Sequence, residues 1–125
     1  MANIFFDTNY FITLYTKRGP VTISYSELEK NDLFVSTLTY HIFAYTQKIK
    51  IPNEELIESL DKFYIVTFTE EVLAKALHGP TADLEDNIQL HSGAEAESDY
   101  FLTNDEKLLN MKFFGKTKIT DSLQR

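Results

Sequence analysis

Apolar and polar positions follow two different periods along this chain, and each change of period marks an element. Asn3-Ile4-Phe5-Phe6 is a short continuous apolar run that stops at Asp7, the pattern of a strand buried on both faces. From Thr8 to Thr16 the period becomes helical, with Phe11, Ile12 and Tyr15 on one side, and Gly19-Pro20 then signals a turn. Ser24 to Lys30 is predicted as a short helix, capped by Ser24 with Glu27 three residues on. Leu33-Phe34-Val35 reads as a second buried strand. Leu38, Ile42, Tyr45 and Ile49 follow at i, i+4, i+7 and i+11, an apolar helical stripe.

Pro52 breaks that pattern, and Asn53-Glu54-Glu55 starts a helix whose apolar face is Leu56, Ile57 and Leu60. Tyr64 to Phe68 is β-branched and aromatic, a third strand. Thr69-Glu70-Glu71 caps a helix that runs to about Leu77 and is stopped by Gly79-Pro80. Asp83 to Ala96 is a further helix, Tyr100 to Thr103 a fourth strand, and Asp105 to Met111 a short helix. Thr117 to Thr120 is a marginal fifth strand. Strands that alternate with helices predict an α/β protein, with a central, mostly parallel sheet of four to five strands covered on both faces. In such sheets functional groups gather beyond the carboxyl ends of the strands.

A length of 125 residues is that of one domain, spanning 1–125, since domains average ~150 residues, and no repeat or linker divides it. There is no cysteine, which removes disulfides, thiolate metal sites and cysteine nucleophiles. His41, His78 and His91 lack the spacing of a histidine metal site, and His78 and His91 read as surface residues. The net charge of −7 argues against a general electrostatic grip on nucleic acid, although a bound cation can supply positive charge locally. Between Lys75 and Lys107 there is no lysine or arginine, while Asp83, Glu85, Asp86, Glu95, Glu97, Asp99, Asp105 and Glu106 all fall there. The tail reverses sign, with Lys107, Lys112, Lys116, Lys118 and Arg125 against Asp121. Met1–Phe6 is too short for a signal peptide and no apolar run reaches the ~20 residues of a membrane span, so the expectation is a soluble, cytoplasmic protein.

Asp7 ends the first strand, Asp105 follows the fourth, and Asp83 and Asp86 share one face of a first helical turn at i, i+3. A parallel sheet is expected to carry Asp7, Asp86 and Asp105 to one edge, close enough to share one ion. Clustered carboxylates without basic neighbours retain protons or take up a cation, and oxygen ligands alone suit Mg²⁺ or Mn²⁺. Each acid also has a plain reading. Asp7 is then a polar strand end, Asp83 and Asp105 are helix N-caps, and Asp86 is favoured by the helix dipole. Glu95, Glu97 and Asp99 read as a solvated face.

These segments resemble the PIN domain family, in particular toxins of the VapC type. Ile4-Phe5-Phe6-Asp7-Thr8-Asn9 is similar to the family's strand ending in Asp-Thr-Asn. Asp83-Leu84-Glu85-Asp86-Asn87-Ile88-Gln89 resembles its acidic helix start, and Tyr100-Phe101-Leu102-Thr103-Asn104-Asp105 its strand followed by Thr-x-Asp. The three motifs are in the family's order over essentially the whole chain. The resemblance implies a three-layer α/β/α fold and a Mg²⁺- or Mn²⁺-dependent endoribonuclease that hydrolyses RNA phosphodiester bonds. It also implies the toxin of a toxin–antitoxin pair, a homodimer with a small antitoxin partner. Asp7, Asp86 and Asp105 would be the catalytic metal ligands, with Asp83 beside or behind them, and Thr8, Asn9 and Thr103 would orient the carboxylates by hydrogen bonds. RNA contact would fall to the metal and to basic groups such as Lys17, Arg18 or the lysine-rich tail.

One position departs from the family. Val35-Ser36-Thr37-Leu38-Thr39 resembles its Ser-x-x-Thr segment, whose helix carries a glutamate three residues beyond the Thr, and here that position is Ile42. His41 lies about 100° away around a helix and is a poor substitute. Ile42 belongs to the apolar stripe and reads as core, while Glu85 points elsewhere than Asp83 and Asp86. The alternative function is therefore a catalytically degenerate PIN-like module that binds RNA or a protein partner.

Overall fold

The computed structural model describes residues 1–16 and 25–123. The predicted turn at Gly19-Pro20, the Ser24 cap, Lys17, Arg18 and Arg125 lie outside them. In chain order the elements are β1 (Asn3–Phe6), α1 (Thr8–Thr16), α2 (Tyr25–Lys30), β2 (Asp32–Ser36), α3 (Thr37–Thr46), α4 (Glu54–Ser59), β3 (Tyr64–Val66), α5 (Glu70–His78), α6 (Leu84–Glu95), β4 (Tyr100–Leu102), α7 (Glu106–Leu109), β5 (Phe113–Phe114) and β6 (Thr117–Thr120). The strands form one sheet in the order β3-β2-β1-β4-β6-β5. All neighbours run parallel except β5 and β6, which are antiparallel. The α/β class holds, and the sheet is mixed, with six strands where four to five are predicted.

The short apolar runs work as strands because both of their faces are covered. Successive side chains of β1 point to opposite sides. Ile4 and Phe6 join Leu33, Val35 and Leu102 in a cluster with Tyr10 and Phe11 of α1 and Phe43 of α3. Phe5 points the other way and packs with Phe101, Ile119, Leu90 of α6 and Leu108 of α7. A third cluster of Val72, Ala76 and Ile88 joins α5 to α6, with Leu38 and Phe68 against it. At Gly93 the helix α6 comes so close to the sheet that an added Cβ would lie 3.4 Å from the rings of Phe5 and Phe101.

The chain lays down β1, β2 and β3 outward in one direction, then returns to the far side of β1 for β4. The strand order therefore reverses between β1 and β4, and the crevice at their carboxyl ends is where open α/β sheets hold ligands. Asp7 stands at one lip of it and Thr103 to Asp105 at the other. Among the described residues no helix is long and apolar enough to cross a membrane.

Two packing expectations are corrected, and one strand is added. Of the stripe Leu38–Ile42–Tyr45–Ile49, Leu38 and Ile49 pack against core clusters, but the buried residues of α3 are Thr39 and Phe43. Tyr45 is 78% exposed and Ile42 only half-buried. The helix turns this way because Thr39 is drawn into buried hydrogen bonds and Phe43 packs edge-on against Phe11. On α4, Ile57 and Leu60 are exposed and only Leu56 packs on the core. The strand β5 is absent from the predicted elements. It is two residues long, and Gly115 at φ 61° makes the turn that folds it back on β6.

Candidate functional site

The strand β1 delivers Asp7 into the interior. Its side chain is 3% exposed, and among the described residues it has no cationic partner. Oδ1 accepts the backbone N–H of Thr8 at 2.9 Å and Oδ2 accepts the Thr103 hydroxyl at 2.7 Å. The Asp7 backbone N–H donates to the Leu102 carbonyl, which ties the two lips of the crevice together. Burial, opposed by these two hydrogen bonds and reinforced by Asp86 and Glu85, pushes the Asp7 carboxyl up from 3.8 to about 7. A carboxyl group in this state at a strand end marks a functional-site candidate.

The other acids come from α6 and from the segment after β4. Asp83 is the N-cap of α6, and its Oδ1 accepts the Asp86 N–H at 2.9 Å. Asp105 is the N-cap of α7 and accepts the Lys107 N–H at 2.9 Å. The plain capping role of both is therefore realised. It does not remove their charge from the crevice. Partial burial, then Asp83 and Asp105, raise the Asp86 carboxyl, against a lowering by Lys107. Glu85 is raised in the same way by burial, Asp83 and Asp86. Asp7, Glu85, Asp86, Asp83 and Asp105 thus act on one another as a chain of like charges around the crevice.

The expected supporting residues divide. Thr103 orients Asp7 through its hydroxyl, which also accepts the Asp105 N–H at 3.0 Å and so links two of the acids. Thr8 serves through its backbone amide rather than its hydroxyl. Asn9 is exposed and makes no hydrogen bond with a site acid among the described residues. His41 is exposed and stacks on Tyr45, away from this role. His91 is half-buried, with Nε2 2.9 Å from the Gly79 carbonyl and its ring edge-on to Phe114. Asp99, expected as solvated surface, accepts the Asn3 N–H at 2.8 Å and so anchors the start of β1.

Two residues of α6 escape a reading of the sequence. Asn87 is buried and makes four hydrogen bonds, donating to the Ala76 and Thr81 carbonyls and accepting the Thr81 N–H and hydroxyl. It pins the loop that carries Asp83. Gln89 is fully buried, with its amide bonded to Thr8, Thr39 and Ser36. The signal for both is a pair of uncharged polar residues inside a helix that packs on a sheet. Such groups are buried only when hydrogen-bonded.

In donor chemistry this set fits a hard divalent cation. All its ligands are oxygens and, among the described residues, Asp7 has no cationic partner and each of its oxygens accepts one hydrogen bond. Among the described residues no three acidic or histidine side chains stand close enough together to form a ready-made cation site. The expected gathering of Asp7, Asp86 and Asp105 around one ion is not met by their side chains as they stand. Asp105 is turned to its own helix amide, and like charges without a cation repel. Compared with known proteins, the chain matches no protein-family model and no curated sequence at a significant level.

Proposed function

We propose that the chain is a PIN-like endoribonuclease that hydrolyses RNA phosphodiester bonds with Mg²⁺ or Mn²⁺, within a three-layer α/β/α domain of the toxin type. The observation that carries the reading is Asp7. It is a buried carboxyl group with no cationic partner among the described residues, set where the strand order reverses and acted on by the acids of α6. Asp7, Asp86 and Asp105 would hold the ion, with Asp83 beside them. A divalent cation there supplies neutralising charge, polarises a phosphoryl oxygen and makes a water acidic enough to attack at neutral pH.

The chain's own groups have separate tasks. The Thr8 amide and the Thr103 hydroxyl each take one Asp7 oxygen and fix the plane of the carboxylate. Without a cation Asp7 retains a proton up to about pH 7, so it loses that proton when it takes an ion. Lys107 faces Asp86 closely enough to lower its pKa, and a lysine at the rim of an acidic crevice suits a substrate phosphate. A homodimer and a small antitoxin partner belong to the same proposal. The apolar groove between α3 and α4, lined by Tyr40, Ala44, Ile51, Leu56, Ile57 and Leu60, supports the dimer as a surface to be covered.

The ungathered carboxylates favour a second reading, a catalytically silent module of the same fold that binds RNA or a protein. An RNA cleavage assay separates the two. Mixed-sequence RNA incubated with the protein and Mg²⁺ or Mn²⁺ should be cut, chelation should stop the reaction, and Asp7→Asn should abolish it while remaining folded. Intact RNA at every divalent ion concentration leaves the second reading standing.

A further inference from the structure

Four buried side chains from four elements meet directly behind Asp7. Gln89 of α6, Thr8 of α1, Ser36 at the end of β2 and Thr39 of α3 are each no more than 1% exposed. The Gln89 Nε2 donates to Thr8 Oγ1 at 2.6 Å and to Thr39 Oγ1 at 3.0 Å, and its Oε1 accepts from Ser36 Oγ at 3.1 Å. Thr8 Oγ1 and Thr39 Oγ1 are 3.0 Å apart, and Ser36 Oγ and Thr39 Oγ1 3.3 Å.

With the amide oriented in this way, one arrangement of protons satisfies every group. Gln89 N–H donates to Thr8, Thr8 O–H to Thr39, Thr39 O–H to Ser36, and Ser36 O–H back to the Gln89 carbonyl. The second Gln89 N–H goes to Thr39, and the Thr39 backbone N–H goes to Ser36 Oγ. The ring is closed, so removing one member leaves buried partners unpaired.

The ring sits between two acids that repel each other. Thr8 follows Asp7 in the chain and gives it an N–H. Gln89 lies one helical turn beyond Asp86, on the same side of α6. Gln89 is the side chain by which α6 enters the ring, so it ties that helix to Thr8 beside Asp7. Thr39 and Gln89 are 31 and 81 residues from Thr8 in the chain, so the hold on Thr8 is a tertiary link.

We infer that Gln89 is a positioning residue, which fixes Thr8 and through it the Asp7 carboxylate against the acids of α6. Its meaning for cation binding rests on the proposed function, but its structural claim does not. The test substitutes Gln89→Met, which keeps the length and removes the amide, and compares hydrogen exchange of the Thr8 amide by NMR with that of core amides. Loss of the link should speed Thr8 exchange by about tenfold, the worth of roughly one hydrogen bond, with core amides of β1 much less affected. Mn²⁺ affinity should fall about 10–100-fold, as for the loss of an outer partner of a ligand.

Thr8→Val cuts the same link from the other side without changing shape. It should speed exchange of the residue 8 amide equally, and it keeps the question open to measurement if Gln89→Met does not fold. A folded variant in which residue 8 exchanges as slowly as in the parent overturns the positioning role. Wild-type protein that binds no Mn²⁺ defeats the proposed function instead, and the exchange result still decides the role of Gln89.

Discussion

The Asp7 carboxyl sets the chemistry of the molecule at the scale of one residue. Its pKa in the fold, about 7, is above the ordinary 3.8. The unfolded chain therefore loses this proton first, and the folded state binds more protons between those two values. Stability contributed by this group is full below about pH 4 and is lost as pH rises towards 7. The loss is on the order of 4 kcal/mol as an upper bound. Asp7→Asn should flatten this part of the pH profile and leave the metal-free protein more stable at pH 8, by about 1–3 kcal/mol. The Thr103 hydroxyl can accept from the new amide, because it already accepts the Asp105 N–H and has a second lone pair. Urea titrations from pH 4 to 8 in chelator would measure both effects. A variant less stable than the parent at pH 8 would mean that Asp7 serves as an ordinary strand-end hydrogen-bond acceptor. Proton competition also makes Mn²⁺ affinity fall as the pH drops below about 7.

Elements were legible in the sequence wherever burial on both faces or a cap imposed a local pattern. The runs Asn3–Phe6 and Tyr100–Leu102 are strands as their composition dictates, and Asn53, Thr69, Asp83 and Asp105 cap the helices they precede. The rotation of α3 was not legible, because its inner face carries a threonine whose partners lie on α1 and α6. Hydrophobic spacing alone selects Ile42 and Tyr45 for that face. The difference is measurable. Ile42→Glu, costly if Ile42 were core, should destabilise by only about 1 kcal/mol or less at a half-buried position, whereas Phe43→Ala should cost about 3–5 kcal/mol. Equal losses in the two variants would return Ile42 to the core. On α6 the close approach at Gly93 makes the opposite case, where the smallest residue is required by the rings beneath it. Gly93→Val should destabilise by about 1–3 kcal/mol in thermal melts, through overpacking against Phe5 and Phe101. Gln89 and the β5 hairpin were hidden for a common reason. Their roles depend on contacts made elsewhere in the fold, not on any pattern along the chain.

The whole molecule carries a net charge of −7, yet the proposed substrate is a polyanion. On the proposed function, affinity for RNA then comes from the cation and from Lys107 at the rim of the crevice. Binding of single-stranded RNA to Asp7→Asn or in chelator should be weak. Binding by the cation-loaded parent should show a shallow salt dependence, with a log–log slope of about −1 to −2 for two or three neutralised phosphates. A steep slope would point to further basic groups, such as the lysine-rich tail, in the contact. The candidate site was legible in part. Asp7, Asp83, Asp86 and Asp105 could be picked out because each stands at a strand end or helix start. Their side-chain directions could not, since Asp83 and Asp105 turn to helix amides and Asp7 turns to Thr8 and Thr103. The same acids either hold a divalent ion together or serve separately, Asp83 and Asp105 as helix caps and Asp7 as a strand-end acceptor. Calorimetric titration of Mn²⁺ into the protein at pH 7.5, beside Asp7→Asn, distinguishes these directly. Saturable binding by the parent and at least about tenfold weaker binding by the variant are expected. Absence of binding by the parent, or equal binding by both proteins, would contradict a shared ion site.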